Sequence, residues 1–175
     1  MRETPQQYIE RMLDLVRDKD PLEVQSATAT RLAGLIKPLS RKQLAARPAP
    51  GKWSITEIVA HLADSEIVLG WRMRLVVGEN GAMLQATDQD SWAEALGYLQ
   101  SDARVALENF RVVRKINLRM LRALPASAWT NYGVHSVRGK ETLADIVRLY
   151  AAHDLNHLAQ VKKIAAKSSE RRPGR

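Results

Sequence analysis

The chain contains no cysteine, which excludes disulfides, thiolate metal sites and a thiol nucleophile of its own. Any metal must be held by nitrogen and oxygen ligands, and any thiol chemistry must use a thiol supplied as cosubstrate. No apolar run approaches the roughly 20 residues that a helix needs to cross a membrane. The start, Met1-Arg2-Glu3-Thr4-Pro5, lacks the apolar stretch and small-residue cleavage site of a secretory signal. These absences predict a cytoplasmic protein with no membrane partner. Strand-like alternation is almost missing, and there is no internal repeat or interior linker.

What is present suits one globular domain. The 175 residues are 45% hydrophobic and 26% charged, enough to bury a sizeable core. The net charge of +8 invites a nucleic-acid reading, but its placement argues against one. Six basic residues between Lys162 and Arg175, set against Glu170, account for +5 of it. The last residues have no apolar side chain able to dock. We therefore expect a domain over residues 1–166, with a leader helix over 1–19, and a basic disordered tail over 167–175.

Helix starts recur in one form, a short polar cap followed three residues later by Glu, Gln or Asp. Thr4 with Gln7, Asp20 with Glu23, Ser40 with Gln43, Ser54 with Glu57, Ser91 with Glu94 and Thr142 with Asp145 all fit. Pro5 and Pro21 suit the first helical position, and Pro38, Gly78 and Pro125 mark stops. The pattern predicts a leading helix near 5–17 and long helices near 21–37, 54–77, 101–124 and 142–166. Short helical pieces are expected near 40–46 and 91–97, and a loop rather than a hairpin over 129–139. Apolar residues at 3–4 spacing, such as Ile55, Ile58, Val59, Leu62, Leu69 and Met73, give each long segment a buried face. An all-α protein built as a four-helix bundle is the economical fold. Trp53 and Trp71 are expected as core anchors. The apolar side of the leader (Tyr8, Met12, Leu15) must pack on its own bundle or on that of a homodimer partner.

Four histidines occur, and three are placed suggestively. His153 and His157 are four apart on the last helix, so their imidazoles stack on one face and can chelate one metal. His61 borders the apolar stripe of another long helix. Spacing alone leaves it open as a third ligand or as a hydrogen-bonded core residue.

Two runs carry a resemblance. Gly51-Lys52-Trp53-Ser54-Ile55-Thr56-Glu57-Ile58-Val59-Ala60-His61-Leu62-Ala63-Asp64-Ser65-Glu66 resembles the second-helix signature of the DinB/YfiT-like family. Ala152-His153-Asp154-Leu155-Asn156-His157-Leu158-Ala159-Gln160-Val161 is similar to its fourth-helix signature. The likeness extends over most of residues 20–166 and leaves out the leader and tail. It implies a four-helix bundle with up-down-down-up connectivity, here with an extra N-terminal helix. It also implies a three-histidine site for a divalent metal ion, zinc or nickel, and His61, His153 and His157 fall on its positions. Members of the resembled family include transferases that use low-molecular-weight thiols, a thiol-dependent isomerase and proteins regarded as hydrolases.

Around this site the catalytic candidates are Asp64, able to orient a ligand or accept a proton, and Gln160, able to bond a ligand or a bound water. A third is His135, in the 129–139 loop with Tyr132 and Arg138. It is expected at the surface, with a fourth-ligand or substrate-contacting role as the alternatives. Asp154 and Asn156 should point away from the metal toward caps or solvent, and Glu57 should serve its cap. A divalent ion on three neutral imidazoles can lower the pKa of a bound water toward ~7 or deprotonate a bound thiol. The implied function is thiol S-transfer or hydrolysis on a small electrophilic substrate. The rival readings are a non-catalytic metal-stapled bundle or sensor, and a nucleic-acid binder acting through the tail.

Overall fold

The computed structural model describes residues 4–170. In chain order the elements are α1 (Pro5–Asp14), α2 (Pro21–Ile36), α3 (Arg41–Ala45), α4 (Ile55–Gly78), β1 (Ala82–Leu84), α5 (Gln89–Ala95), α6 (Ala103–Ala123), β2 (Tyr132–His135), β3 (Gly139–Thr142) and α7 (Leu143–Glu170). Short 3-10 turns occupy Tyr98–Gln100 and Ala126–Thr130. No helix among the described residues is long and apolar enough to cross a membrane.

Local sequence sets the helix starts. Thr4 and Gln7, Ser40 and Gln43, and Ser54 and Glu57 form reciprocal capping boxes. Thr142 and Asp145 make the same exchange at the start of α7. Asp20 caps α2 by accepting from Leu22 and Glu23. One expected cap is displaced: α5 starts at Asp88, whose carboxylate accepts from the backbone of Asp90 and Ser91, so Ser91 lies inside the helix. A carboxylate that collects two orphan N–H groups outcompetes a hydroxyl that collects one.

Packing sets the direction of each long helix. Gln25 of α2 donates to the Val147 carbonyl near the start of α7, while Leu32 and Ile36 share a core cluster with Leu158 and Val161. These two helices therefore run side by side in the same direction. Ile55, Ile58 and Leu62 cluster with Ala103, Leu107 and Phe110, and Asn117 reaches Glu66, so α4 and α6 are also parallel. Leu69 and Met73 meet Leu143 and Ile146, so α4 and α7 are antiparallel. The result is the up-down-down-up bundle. Side chains such as Phe110, Leu32 and Leu69 are fully buried, each contributing roughly 1.5–3 kcal/mol.

The connections hold what the sequence pattern did not predict. The stretch 129–139, expected as a loop, instead holds β2 and the turn that leads into β3. β2 pairs antiparallel with β3 and parallel with β1, giving sheet order β1-β2-β3. The parallel helices α4 and α6 need a long return connection, and β1 lies in it, so β2 gains a partner some 50 residues away in sequence. The leader helix packs on its own bundle, where Met12 and Val16 are buried against Val24, Ala151 and Ala152. Of the two alternatives for its apolar side, Met12 and Leu15 pack on the chain's own bundle, while Tyr8 stays exposed. Residues 167–170, expected in the disordered tail, form the last turn of α7; the rest of that expected tail, residues 171–175, lies outside the described residues. Trp71, expected in the core, is 62% exposed, because α4 turns Gly70 and Met73 inward instead.

A buried ionic cluster locks the middle of the bundle. Arg114 of α6 bonds Asp154 of α7 through both terminal nitrogens, at 2.6 and 3.1 Å, and Glu66 of α4 at 2.7 Å. Asn117 donates to the same Glu66 carboxylate at 2.8 Å. Burial pushes the Glu66 carboxyl up, opposed by Arg114. Burial opposes the Arg114 charge, but Asp154 and Glu66 outweigh it and hold the guanidinium protonated. Asp154 does point away from the histidine face, but toward this cluster rather than solvent.

Candidate metal centre

His61 of α4 and His153 and His157 of α7 meet where the antiparallel helices face each other. The ring centroids are 4.4–5.1 Å apart, and one nitrogen from each ring lies within 4.8 Å of the others. Nε2 of His153 is 3.0 Å from Nε2 of His61 and 3.1 Å from Nε2 of His157. The buried cluster of Glu66, Arg114 and Asp154 fixes the register of the two helices that carry them. Trp53 packs against His61 with ring centroids 5.0 Å apart.

Protons alone cannot satisfy this trio. His157 points Nδ1 at Oε1 of Gln160, 3.0 Å away; a carbonyl oxygen only accepts, so the proton sits on Nδ1 and Nε2 offers a lone pair. Burial is the main force lowering the pKa of all three rings, His61 to about 3 and His153 well below its ordinary value. The rings are therefore neutral near pH 7. With the His157 Nε2 unprotonated, the two contacts at His153 Nε2 cannot both be ordinary hydrogen bonds. A cation accepts all three lone pairs at once. A tetrahedral ion with bonds of about 2.0–2.1 Å to nitrogen spaces its ligands roughly 3.3 Å apart, close to the separations found. The donor set fits a divalent metal.

Around the trio, Ser65 Oγ lies 3.3 Å from Nε2 of His61. A cavity of about 30 Å³ is lined by His61, Ser65, Tyr98 and Tyr150, with Gln89 and Trp92 at its α5 side. Tyr150 sits one turn before His153, and its oxygen accepts from Arg72 Nη1 at 2.9 Å. A groove of about 500 Å³ opens on the other side, where His157, Trp53 and Ile58 form part of the wall. Gln89 lines both spaces.

The remaining candidates divide. Gln160 does bond a histidine of the trio. Asp64 does not; its carboxylate accepts from the Tyr98 hydroxyl at 2.7 Å, which orients a wall of the small cavity rather than an imidazole. His135 is buried, not on the surface, because β2 is the central strand of the sheet. Its Nδ1 accepts from the backbone N–H groups of Val137 and Arg138, and it is not one of the clustered nitrogens. Burial, then the charges of Arg138 and Arg72, lower its pKa to about 4. Glu57 serves its cap and also pairs with Arg47. Ser65, Tyr150 and Arg72 were not anticipated. Tyr150 had one available signal, its place three residues before His153 on the same helical face.

Known proteins resemble this chain in sequence and in fold. A family model described as the DinB superfamily matches residues 26–161. A protein of Oceanobacillus iheyensis named "Putative metal-dependent hydrolase" is 27% identical over 136 residues, covering 75% of this chain and 76% of its own. One of Bacillus mycoides with the same description is 26% identical over 157 residues, covering 90% of each chain. Among solved structures, YfiT from Bacillus subtilis superposes with a TM-score of 0.79 at 20% identity, over 97% of this chain and 93% of YfiT. It is described as "a probable metal-dependent hydrolase with an unusual four-helix bundle topology", and at that identity the likeness establishes the fold. With the family match spanning most of its length, the chain belongs to the DinB superfamily.

Proposed function

We propose that this protein is a metal-dependent enzyme in which His61, His153 and His157 hold one divalent ion, zinc or nickel, for reaction on a small electrophilic substrate. The observation that carries the reading is the convergence of three neutral Nε2 atoms, with the His157 tautomer set by Gln160. A divalent ion held by such a set lowers the pKa of a bound water or thiol toward neutrality. Hydrolysis is the leading reading, supported by the names of the relatives. Thiol transfer is the second, favoured by a groove beside His157 large enough for a cosubstrate.

The chain's own residues supply the rest of the site. Tyr150 accepts from Arg72, so its single proton is free to donate into the cavity that His61 lines. There it can stabilise negative charge developing on a substrate oxygen. Ser65 gives a second hydroxyl on the same wall. Trp53 packs on His61, and Trp92 closes the α5 side of the small cavity. The test is a screen of metal-loaded and metal-stripped protein against activated esters, amides and thiol–electrophile pairs. Turnover that follows the metal and drops in Tyr150→Phe supports the reading. A loaded protein with no turnover but a large metal-dependent rise in melting temperature supports the metal-stapled bundle instead.

A further inference from the structure

Trp71 has no place in the core, and it does not stand alone on the surface. Ile67 and Trp71 of α4 and Val105, Val112 and Ile116 of α6 are each more than half exposed. Gly70 is the α4 residue that meets α6, where an added Cβ would lie 2.7 Å from Asn117 Oδ1. Trp71 follows Gly70 and Ile116 precedes Asn117, so the two side chains turn about 100° away from the seam in opposite senses. On parallel neighbouring helices those opposite rotations open onto one outer face. Spacings of four and seven residues put Ile67 beside Trp71, and Val105 and Val112 in line with Ile116. The exposed parts of these five side chains amount to roughly 500 Å² of apolar surface. A stable interface takes about 800 Å² per partner, so the patch and its rims are large enough for one. None of the five lines the cavity or the groove at the histidines.

The charges beside the patch choose its occupant. Glu108 and Arg119 are exposed and eleven residues apart, close to three full turns, so both sit on the rim of the stripe away from α4. Among the described residues Arg119 has no ion pair, and Glu108 pairs only with its exposed neighbour Arg111. An acid and a base on one rim give no net charge to attract an anionic membrane, but they match a copy of themselves run in the opposite direction. The apolar positions have the same symmetry: Val112 and Ile116 lie equally far from Arg114 along α6, as do Val105 and Ala123. Glu66 of α4 reaches both Arg114 and Asn117, which sets Ile67 level with that midpoint. We propose that the α4–α6 face binds a second copy of this chain about a two-fold axis, with the two α6 helices antiparallel. Val112 meets the partner's Ile116, Glu108 meets the partner's Arg119, and Ile67 meets the partner's Ile67 on the axis. An isologous contact of this kind closes on itself and stops at two chains.

Light scattering on the full-length protein over a concentration series tests this without any metal. The expected mass is that of two chains in the micromolar range. Trp71→Glu/Ile116→Glu should be monomeric at every concentration, with an unchanged helical circular dichroism spectrum. Glu108→Arg and Arg119→Glu should each raise the dimer Kd by at least about tenfold, because like charges then meet twice across the axis. The double reversal, Glu108→Arg/Arg119→Glu, should restore it. Wild-type protein that stays monomeric up to about 100 μM overturns the proposal, as does a dimer that survives Trp71→Glu/Ile116→Glu. Reversals without effect, or without rescue in the double variant, overturn the antiparallel pairing. Monomeric protein that sediments with phosphatidylserine vesicles, and loses that binding in Trp71→Glu/Ile116→Glu, would give the face to a membrane and overturn the second copy as its occupant.

Discussion

The Nδ1–H of His157 donates to Oε1 of Gln160 at 3.0 Å, one turn further along α7. This bond leaves Nε2 of His157 as a lone-pair donor facing His153, and it is the only hydrogen bond that assigns a tautomer in the trio among the described residues. Outer partners of this kind typically change metal affinity by 10–100-fold. Gln160→Ala should therefore weaken zinc binding about 10–100-fold, read by competition against a chelator. Gln160→Glu should retain or strengthen it. Because Gln160 is exposed, both variants should melt like the wild type without metal.

Removing one partner of the buried ion cluster should cost far more than removing the cluster. Asp154→Ala leaves Arg114 short of its two-pronged partner and should destabilise the protein by about 3–5 kcal/mol in denaturant unfolding. Replacing all three, as Glu66→Leu/Arg114→Met/Asp154→Leu, should come much closer to wild type, since no uncompensated charge stays buried. Equal losses in the two cases would mean that shape, not charge, dominates the cluster.

His135 should make stability depend on pH in a defined window. Its folded pKa is depressed to about 4, against an ordinary value near 6.5. As pH falls below 6.5, the unfolded chain takes up the proton first, so the contribution of the neutral ring is full above 6.5 and lost toward 4. The slope is at most ~1.4 kcal/mol per pH unit for one proton. The deficit of His135→Gln relative to wild type should shrink as pH drops from 6.5 to 4. A deficit independent of pH contradicts the assignment.

Gly133 has no room for a side chain. A Cβ there would lie 2.6 and 2.7 Å from Leu84 side-chain atoms and 3.0 Å from Val76. Gly133→Ala should cost about 1–3 kcal/mol, whereas Gly34→Ala, with open space around it, should be neutral or stabilising. Thermal melts of the two variants decide whether the β1–β2 contact is as tight as described.

What was legible in the sequence was local, and the rest was built by contacts between distant segments. Caps such as Ser54 with Glu57 follow from an i, i+3 rule that needs no tertiary information. The His153–His157 pair follows from helical pitch in the same way, whereas adding His61 required family resemblance, because 92 residues separate it from His153. The bond from Arg72 to Tyr150 spans 78 residues, and no spacing rule reaches that far. His135 escapes a local reading for a related reason: its burial depends on β2 pairing with β1, some 50 residues away in sequence. Arg114 offered a missed sign, being polar on the inward stripe with Phe110, Leu118 and Leu121. A cation at such a position implies buried acids opposite, here Glu66 and Asp154.

The central claim is that three histidines hold one metal ion, and elemental analysis with titration tests it most directly. Protein reconstituted with zinc or nickel and freed of excess ion should retain one ion per chain. His61→Ala, His153→Ala and His157→Ala should each lower the affinity by at least about tenfold while α7 stays helical by circular dichroism. Wild-type protein that retains no stoichiometric ion, together with a His153→Ala variant that titrates like the wild type, would contradict the account.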